Sequence, residues 1–155
     1  MNLTVANVMA AELMQKHDLI KKGWKFQFDR SKRRFGVCRH GKKIIGLSRD
    51  LTLLNDVDKV KDTILHEIAH AIAGFKAGHG EEWKRICILI GAKPERCYSS
   101  DVVKTPELKY YAKCGACGSV HQKARIVRKN CKRSCKCQRG KNWNERILLQ
   151  FVARY

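Results

Sequence analysis

The chain has 155 residues, with 33 Lys and Arg against 14 Asp and Glu, giving a formal net charge of +19 at pH 7. That length suits one ordinary domain, or a core of about 100 residues with a small appendage, and a hydrophobic content of 44% argues against disorder throughout. The longest apolar stretch, Ile147 to Ala153, is interrupted by Gln150 and falls far short of the roughly 18 residues of a membrane span, so no membrane role is expected.

The first residues carry no basic n-region, and Glu12 interrupts their apolar pattern. Neither a secretory signal nor a transit peptide is readable, so the expectation is an intracellular protein, cytoplasmic or nucleoid-associated and not secreted. Eight cysteines in a reducing compartment are seldom disulfides. Three are scattered (Cys38, Cys87, Cys97) and five fall between Cys114 and Cys137, which suggests metal ligation. The charge is uneven too, at +8 over residues 1–100 and +11 over residues 101–155.

In chain order, apolar Val5, Val8, Met9, Leu13 and Met14 predict an amphipathic helix capped by Thr4 and ending near Gly23. Trp24 to Phe28 alternates at period two, and Arg34–Cys38 and Lys43–Leu47 follow across turn-like Asp29-Arg30-Ser31 and His40-Gly41. Three short antiparallel strands are expected there. Caps at Asn55 to Asp58 precede Val57, Val60, Ile64, Leu65, Ile68 and Ile72, spaced at three and four, with Gly74 as the stop. A further helix is expected from Glu81 to Ile90, closed by Gly91 and Pro94. The stretch through Ser99 and Ser100 to Pro106 reads as a linker. A final alternating run, Ile147, Leu149, Phe151, Ala153 and Tyr155, reads as a strand.

Within the long central helix stands His66-Glu67-Ile68-Ala69-His70, the H-E-x-x-H pattern. Two histidines four apart differ by about 40° around a helix axis, so both imidazoles can reach one ion with Glu67 beside them. A catalytic zinc needs three protein ligands and one open position. His79, in Gly78-His79-Gly80, is the candidate third ligand, because a chain that leaves the helix at Gly74 can bring it back over the metal. Three neutral imidazoles leave the ion its full charge, and Glu67 is then the general base and acid for hydrolysis of a peptide bond. Asp62 could orient an imidazole, but a solvated helix carboxylate is its simpler reading. A metzincin would need Gly and His where this chain has Ala73 and Lys76. A thermolysin-like glutamate ligand is poorly served by Glu81 and Glu82, which follow His79 too closely.

The sequence resembles the SprT-like zinc metalloprotease family, whose members include DNA–protein crosslink proteases. The likeness is carried by Gly23-Trp24-Lys25-Phe26, by Phe35-Gly36-Val37-Cys38, by Ile44-Ile45-Gly46-Leu47-Ser48, by Thr63 to Ala71, and by Gly78 to Lys84 followed by Ile90-Gly91. It implies His66, His70 and His79 as zinc ligands and Glu67 as the catalytic glutamate. It further implies proteolysis that depends on DNA binding.

Cys114-Gly115-Ala116-Cys117-Gly118 is a zinc-knuckle signal, since C-x-x-C puts two thiolates on one tight turn. Tetrahedral closure needs two more ligands, for which Cys131, Cys135 and Cys137 compete. The family's C-terminal zinc ribbon implies Cys135 and Cys137, although only Lys136 separates them where a second C-x-x-C is usual; Cys131 replacing one of them is the alternative, and His121 reads as an exposed ribbon histidine. Lys123, Arg125, Arg128, Lys129, Lys132, Arg133, Lys136, Arg139 and Lys141 surround this metal site and suit phosphate binding with little base specificity. Trp143, Tyr110 and Tyr111 either stack on unpaired bases or pack in a small core. Cys38, Cys87 and Cys97 read as buried small hydrophobes, and Trp24, Phe26, Phe28 and Trp83 as core.

The expectation is therefore an α+β chain: a zincin-like metalloprotease domain with a small antiparallel sheet over residues 1–103, then a basic zinc-ribbon segment over 104–155. It would hold one catalytic and one structural zinc, act as a monomer, bind DNA, and cleave DNA-bound or DNA-crosslinked proteins. Two other classes compete, a non-catalytic DNA- or transcription-associated zinc protein and a zinc-dependent nuclease. Glu67 directly after the first histidine favours peptide hydrolysis over both.

Overall fold

The computed structural model describes residues 1–95, 103–126, 128 and 132–154. The proposed linker serines, Cys97, Lys129, Cys131 and Tyr155 lie outside the described residues. The chain divides into two compact units, Met1–Pro106 and Glu107–Tyr155. Among the described residues no helix is long and apolar enough to cross a membrane.

The first unit begins with helix α1, Leu3–Lys16. Its cap is Asn2, whose side chain accepts from the Thr4 amide, so the helix starts earlier than Thr4 capping would have it. It also stops at Lys16, because Asp18 turns left-handed at φ 56° and the chain to Gly23 runs as turns. Strands β1 (Lys25–Asp29), β2 (Gly36–Arg39) and β3 (Ile44–Ser48) form one sheet in the order β1-β3-β2. The expectation of an all-antiparallel sheet needs correction. β2 and β3 are an antiparallel pair, but β1 runs parallel to β3, with Lys25 opposite Ile44 and Asp29 opposite Ser48. The alternation in sequence fixes which side chains share a face and is silent on which strands are partners.

Helix α2, Arg49–Leu54, was not expected from the sequence. Ser48 caps it by accepting from the Leu51 amide, and six residues are too few for a helical period to stand out. Helix α3, Val57–Ala73, is capped by Asp56 accepting from the Lys59 amide and ends at Gly74, whose φ of 85° suits a residue without Cβ. Helix α4 spans Glu81–Ile90 and closes on left-handed Gly91.

At about 100° per residue, α3 presents three faces. Val60, Ile64 and Ile68 join Ala6, Ala10, Met14, Trp24, Ile45, Leu47 and Leu51 in the main core beneath the sheet. Leu65 and Ala69 pack with Trp83 and Cys87 of α4 in a second core. His66 and His70 occupy the third face. Glu67 falls between that face and the stripe on the sheet, which turns its carboxylate toward β2. Asp62 is no idle surface carboxylate: it accepts from the Lys93 amide at 2.9 Å and ties the chain after α4 back to α3.

The second unit holds β4 (Tyr110–Lys113), β5 (Val120–Lys123) and β6 (Val152–Ala153) in the order β5-β4-β6, antiparallel throughout. The expected C-terminal strand is shorter than its alternation promised, with Leu148 instead bridging Ser134. Among the described residues of this unit few are buried: Leu108, Ala112, Cys114, Cys135 and Gln138.

Candidate active site and cysteine cluster

The chain leaves α3 at Gly74, makes a short 3-10 turn over Phe75–Ala77, and passes through Gly78 at φ 53°, ψ −128°, a conformation L side chains rarely adopt. That path returns His79 over the histidines of α3. The Nε2 atoms of His70 and His79 lie 3.1 Å apart, and those of His79 and His66 lie 3.3 Å apart. Three nitrogens bound tetrahedrally at about 2.0–2.1 Å from one zinc stand about 3.3–3.4 Å from each other. The donor set and its spacing fit that ion.

Trp83, the third residue of α4, is fully buried and floors the cluster. Its ring centroid lies 4.8, 5.2 and 4.6 Å from those of His66, His70 and His79, stacked on His70 at an interplanar angle of 24°. One aromatic side chain thus limits the rotation of all three imidazoles. Burial lowers His66 and His70 to about 4, with the neighbouring imidazoles adding to the effect and Asp62 opposing it at His66. Both rings are neutral at physiological pH, which is the form that binds metal.

Glu67 is 7% exposed. Burial raises its carboxyl to about 8, while the Arg34 guanidinium and the Cys38 backbone amide pull the other way. A divalent cation on the adjacent imidazoles would favour the carboxylate strongly. These groups open into a cleft of about 640 Å³, walled by residues 33–38 leading into and along β2, by His40 and Phe75, and by Leu51, Thr63 and Val103. Phe75, 82% exposed, stands edge-on to His40 at 5.9 Å.

Several cleft residues escaped sequence reasoning. Arg34, His40 and Phe75 carry no local pattern, whereas a glycine inside an alternating strand, Gly36, was a readable sign of close backbone approach. Cys38 is half-buried and lines the cleft, its thiol 3.5 Å from His40 Nε2, in place of the buried hydrophobe expected. Cys87 is fully buried.

In the second unit, the Sγ atoms of Cys114, Cys117, Cys135 and Cys137 all lie within 4.8 Å of one another. Cys114 and Cys137 are 3.7 Å apart, as are Cys117 and Cys135. Four thiolates at about 2.3 Å from a tetrahedral zinc would stand about 3.8 Å apart, so these residues fit a structural zinc. The turn at Cys114–Cys117 closes by a hydrogen bond from the Gly118 amide to the Cys114 carbonyl. The single-residue gap of the second pair is accommodated by a 3-10 turn over Lys136–Gln138. The Ser119 hydroxyl, 3.2 Å from Cys117 Sγ, favours the thiolate and moves it down to about 6. His121 is half-buried on β5, with its Nε2 enclosed, and is not the exposed ribbon histidine expected.

Two aromatics of this unit, Trp143 and Tyr111, are exposed. Trp143 is 46% exposed with the Arg146 guanidinium 5.2 Å from its ring centre, and Tyr111 holds Arg154 at 5.3 Å. Trp143 shares a concavity of about 710 Å³ with Lys123, Lys132, Arg133 and Lys136.

The sequence profile of the SprT-like family matches residues 7–103, which hold all three histidines, Glu67 and Trp83. Protein SprT of Pseudomonas fluorescens is 32% identical over 85 residues, covering 51% of this chain and 52% of the relative. Protein SprT of Pseudomonas putida is 28% identical over 114 residues, covering 63% of this chain and 70% of the relative. The chain therefore matches between about half and about 70% of the length of these relatives. With the family profile spanning more than half of its residues and the histidine cluster inside the match, the chain belongs to the SprT-like family.

Proposed function

We propose that this protein is a zinc-dependent peptidase that cleaves proteins bound or crosslinked to DNA, with the basic second unit supplying the DNA contact. The observation that carries the reading is the convergence of three imidazole nitrogens to 3.1 and 3.3 Å in one cleft with a buried carboxylate. A purely structural three-histidine site has no need of that carboxylate.

Bound at His66, His70 and His79, zinc would supply Lewis-acid polarisation of the scissile carbonyl and a more acidic attacking water. Glu67 accepts a proton as the water oxygen adds to the carbonyl carbon. It returns the proton to the amide nitrogen as the C–N bond breaks, so the products are a carboxylic acid and an amine. Trp83 keeps the ligand rings in place through the cycle. The cleft has an apolar floor at Phe35 and Leu51, which gives the carboxylate surroundings of low polarity.

Support for DNA as the partner comes from the second unit's charge and its two exposed aromatics. Lys and Arg beside an exposed indole suit a phosphate backbone with bases stacked on the ring. Holding the peptidase on DNA raises the local concentration of DNA-bound protein and makes an unselective cleft selective by location.

The test is cleavage of a DNA-bound protein by the zinc-loaded chain, with binding followed across salt. With about four to six phosphate contacts, affinity is expected to fall on the order of 100-fold or more between about 50 and 200 mM salt, and cleavage of the DNA-bound substrate with it. Affinity that stays flat across this range would contradict phosphate binding. Degradation of the DNA strand itself, with the protein left whole, would replace the peptidase reading by a nuclease.

A further inference from the structure

Strand β2 lies against the Glu67 side chain more closely than any residue with a Cβ could allow. A Cβ built on Gly36 would stand 2.5 Å from Glu67 Oε1, 2.7 Å from Cγ and 2.9 Å from Cδ. Real Cβ atoms do not approach heavy atoms below 3.0 Å. The backbone does not require a glycine here. Gly36 is absent from the residues with positive φ and pairs in regular register with Leu47. A glycine in a strand gives up side-chain packing and backbone order, so this one is explained by the space it leaves.

Three positions of this segment act on the carboxylate. Arg34 faces it with a positive charge, Gly36 supplies the close approach, and the Cys38 backbone amide favours its charged form. Gly36 and Cys38 stand two apart on β2, and Arg34 lies just before the strand begins. Arg34 is itself held by an ion pair with Asp29, and Asp29 also accepts from Arg39 at 3.4 Å. Glu67 therefore has a helix behind it and a fixed strand in front.

We propose that Gly36 is a positioning residue for Glu67: its missing side chain lets β2 close on the carboxylate and hold it in one rotamer, and the smallest added group there displaces it. This rests on Glu67 being the proton-transfer group of the proposed peptidase. Displacement of a catalytic group by about 1 Å costs on the order of 100-fold in turnover.

The test joins two measurements. On the zinc-loaded full chain, Gly36→Ala is expected to lower kcat on the order of 100-fold with KM and zinc content unchanged. On the metal-free chain, Gly36→Ala is expected to lower the melting temperature when Glu67 is present and to leave it unchanged or raise it in a Glu67→Ala background, where the clashing atoms are gone. A Gly36→Ala chain that folds only when Glu67→Ala is added is the same result in stronger form. An equal loss in both backgrounds would assign the glycine to the strand and overturn the proposal, as would an unchanged kcat. If the parent chain cleaves no protein, the peptidase reading falls, and the coupling between positions 36 and 67 still decides whether the carboxylate is held by Gly36.

Discussion

Glu67→Gln is expected to lower turnover of a DNA-bound protein by a factor of about 10² to 10⁴, the usual contribution of a positioned proton-transfer group, with zinc content and DNA affinity unchanged. Glutamine has the shape of glutamate and fills the same buried space between α3 and β2, but it cannot take a proton from water. The stability consequence is equally definite. In the metal-free chain burial holds the carboxyl at about 8 against an ordinary value of 4.5. The unfolded chain then releases this proton first as pH rises, so the folded state loses stability between those two values. Glutamine removes that loss, and the variant is expected to melt at or above the parent temperature at neutral pH without metal. Single-turnover cleavage and a melting curve check both parts; a variant that retains turnover would remove Glu67 from the chemistry.

The second large effect concerns Cys114, Cys117, Cys135 and Cys137. Among its described residues Glu107–Tyr155 encloses few apolar side chains, and a segment of about 50 residues with so small a core does not fold on burial alone. The four sulfurs are spaced for a zinc, and a structural zinc contributes on the order of 10–16 kcal/mol near neutral pH. Cys137→Ser is therefore expected to unfold the second unit and abolish DNA binding. The first unit has its own two cores and should keep its structure. Hydrogen exchange read along the chain checks this. Protection lost over residues 107–155 and kept over α3 and α4 is the expected pattern, and persistence of protection at β4 and β5 would contradict a metal-dependent fold.

The histidine cluster was legible because each of its parts is local. Asp56 and Gly74 bound α3, the three-and-four spacing of Val60, Ile64 and Ile68 gives its buried stripe, and four-residue spacing then sets His66 and His70 side by side. Gly-His-Gly marked the third histidine of the cluster because a return path after a helix stop needs such backbone freedom at Gly78. Partners across the sheet were not legible. Phe26 and Phe28 alternate in the same way whether β1 meets its neighbour parallel or antiparallel, and the parallel pairing with β3 follows from tertiary packing. Helix α2 was hidden by its six residues. The role of Trp83 was half legible: its burial was expected, its contact with three imidazoles was not, since that contact exists only once Gly74 and Gly78 have turned the chain. In the second unit Cys114 and Cys117 announce their turn, whereas Cys135 and Cys137 meet them only through the 3-10 turn over Lys136–Gln138.

Zinc per chain, measured by elemental analysis of purified protein, tests the account most directly. Two ions are expected in the parent, one in His79→Ala with the second unit still folded, and one in Cys137→Ser with the first unit still folded. A parent with a single zinc, or a His79→Ala chain that keeps both, would contradict a three-histidine zinc site beside a separate four-cysteine centre.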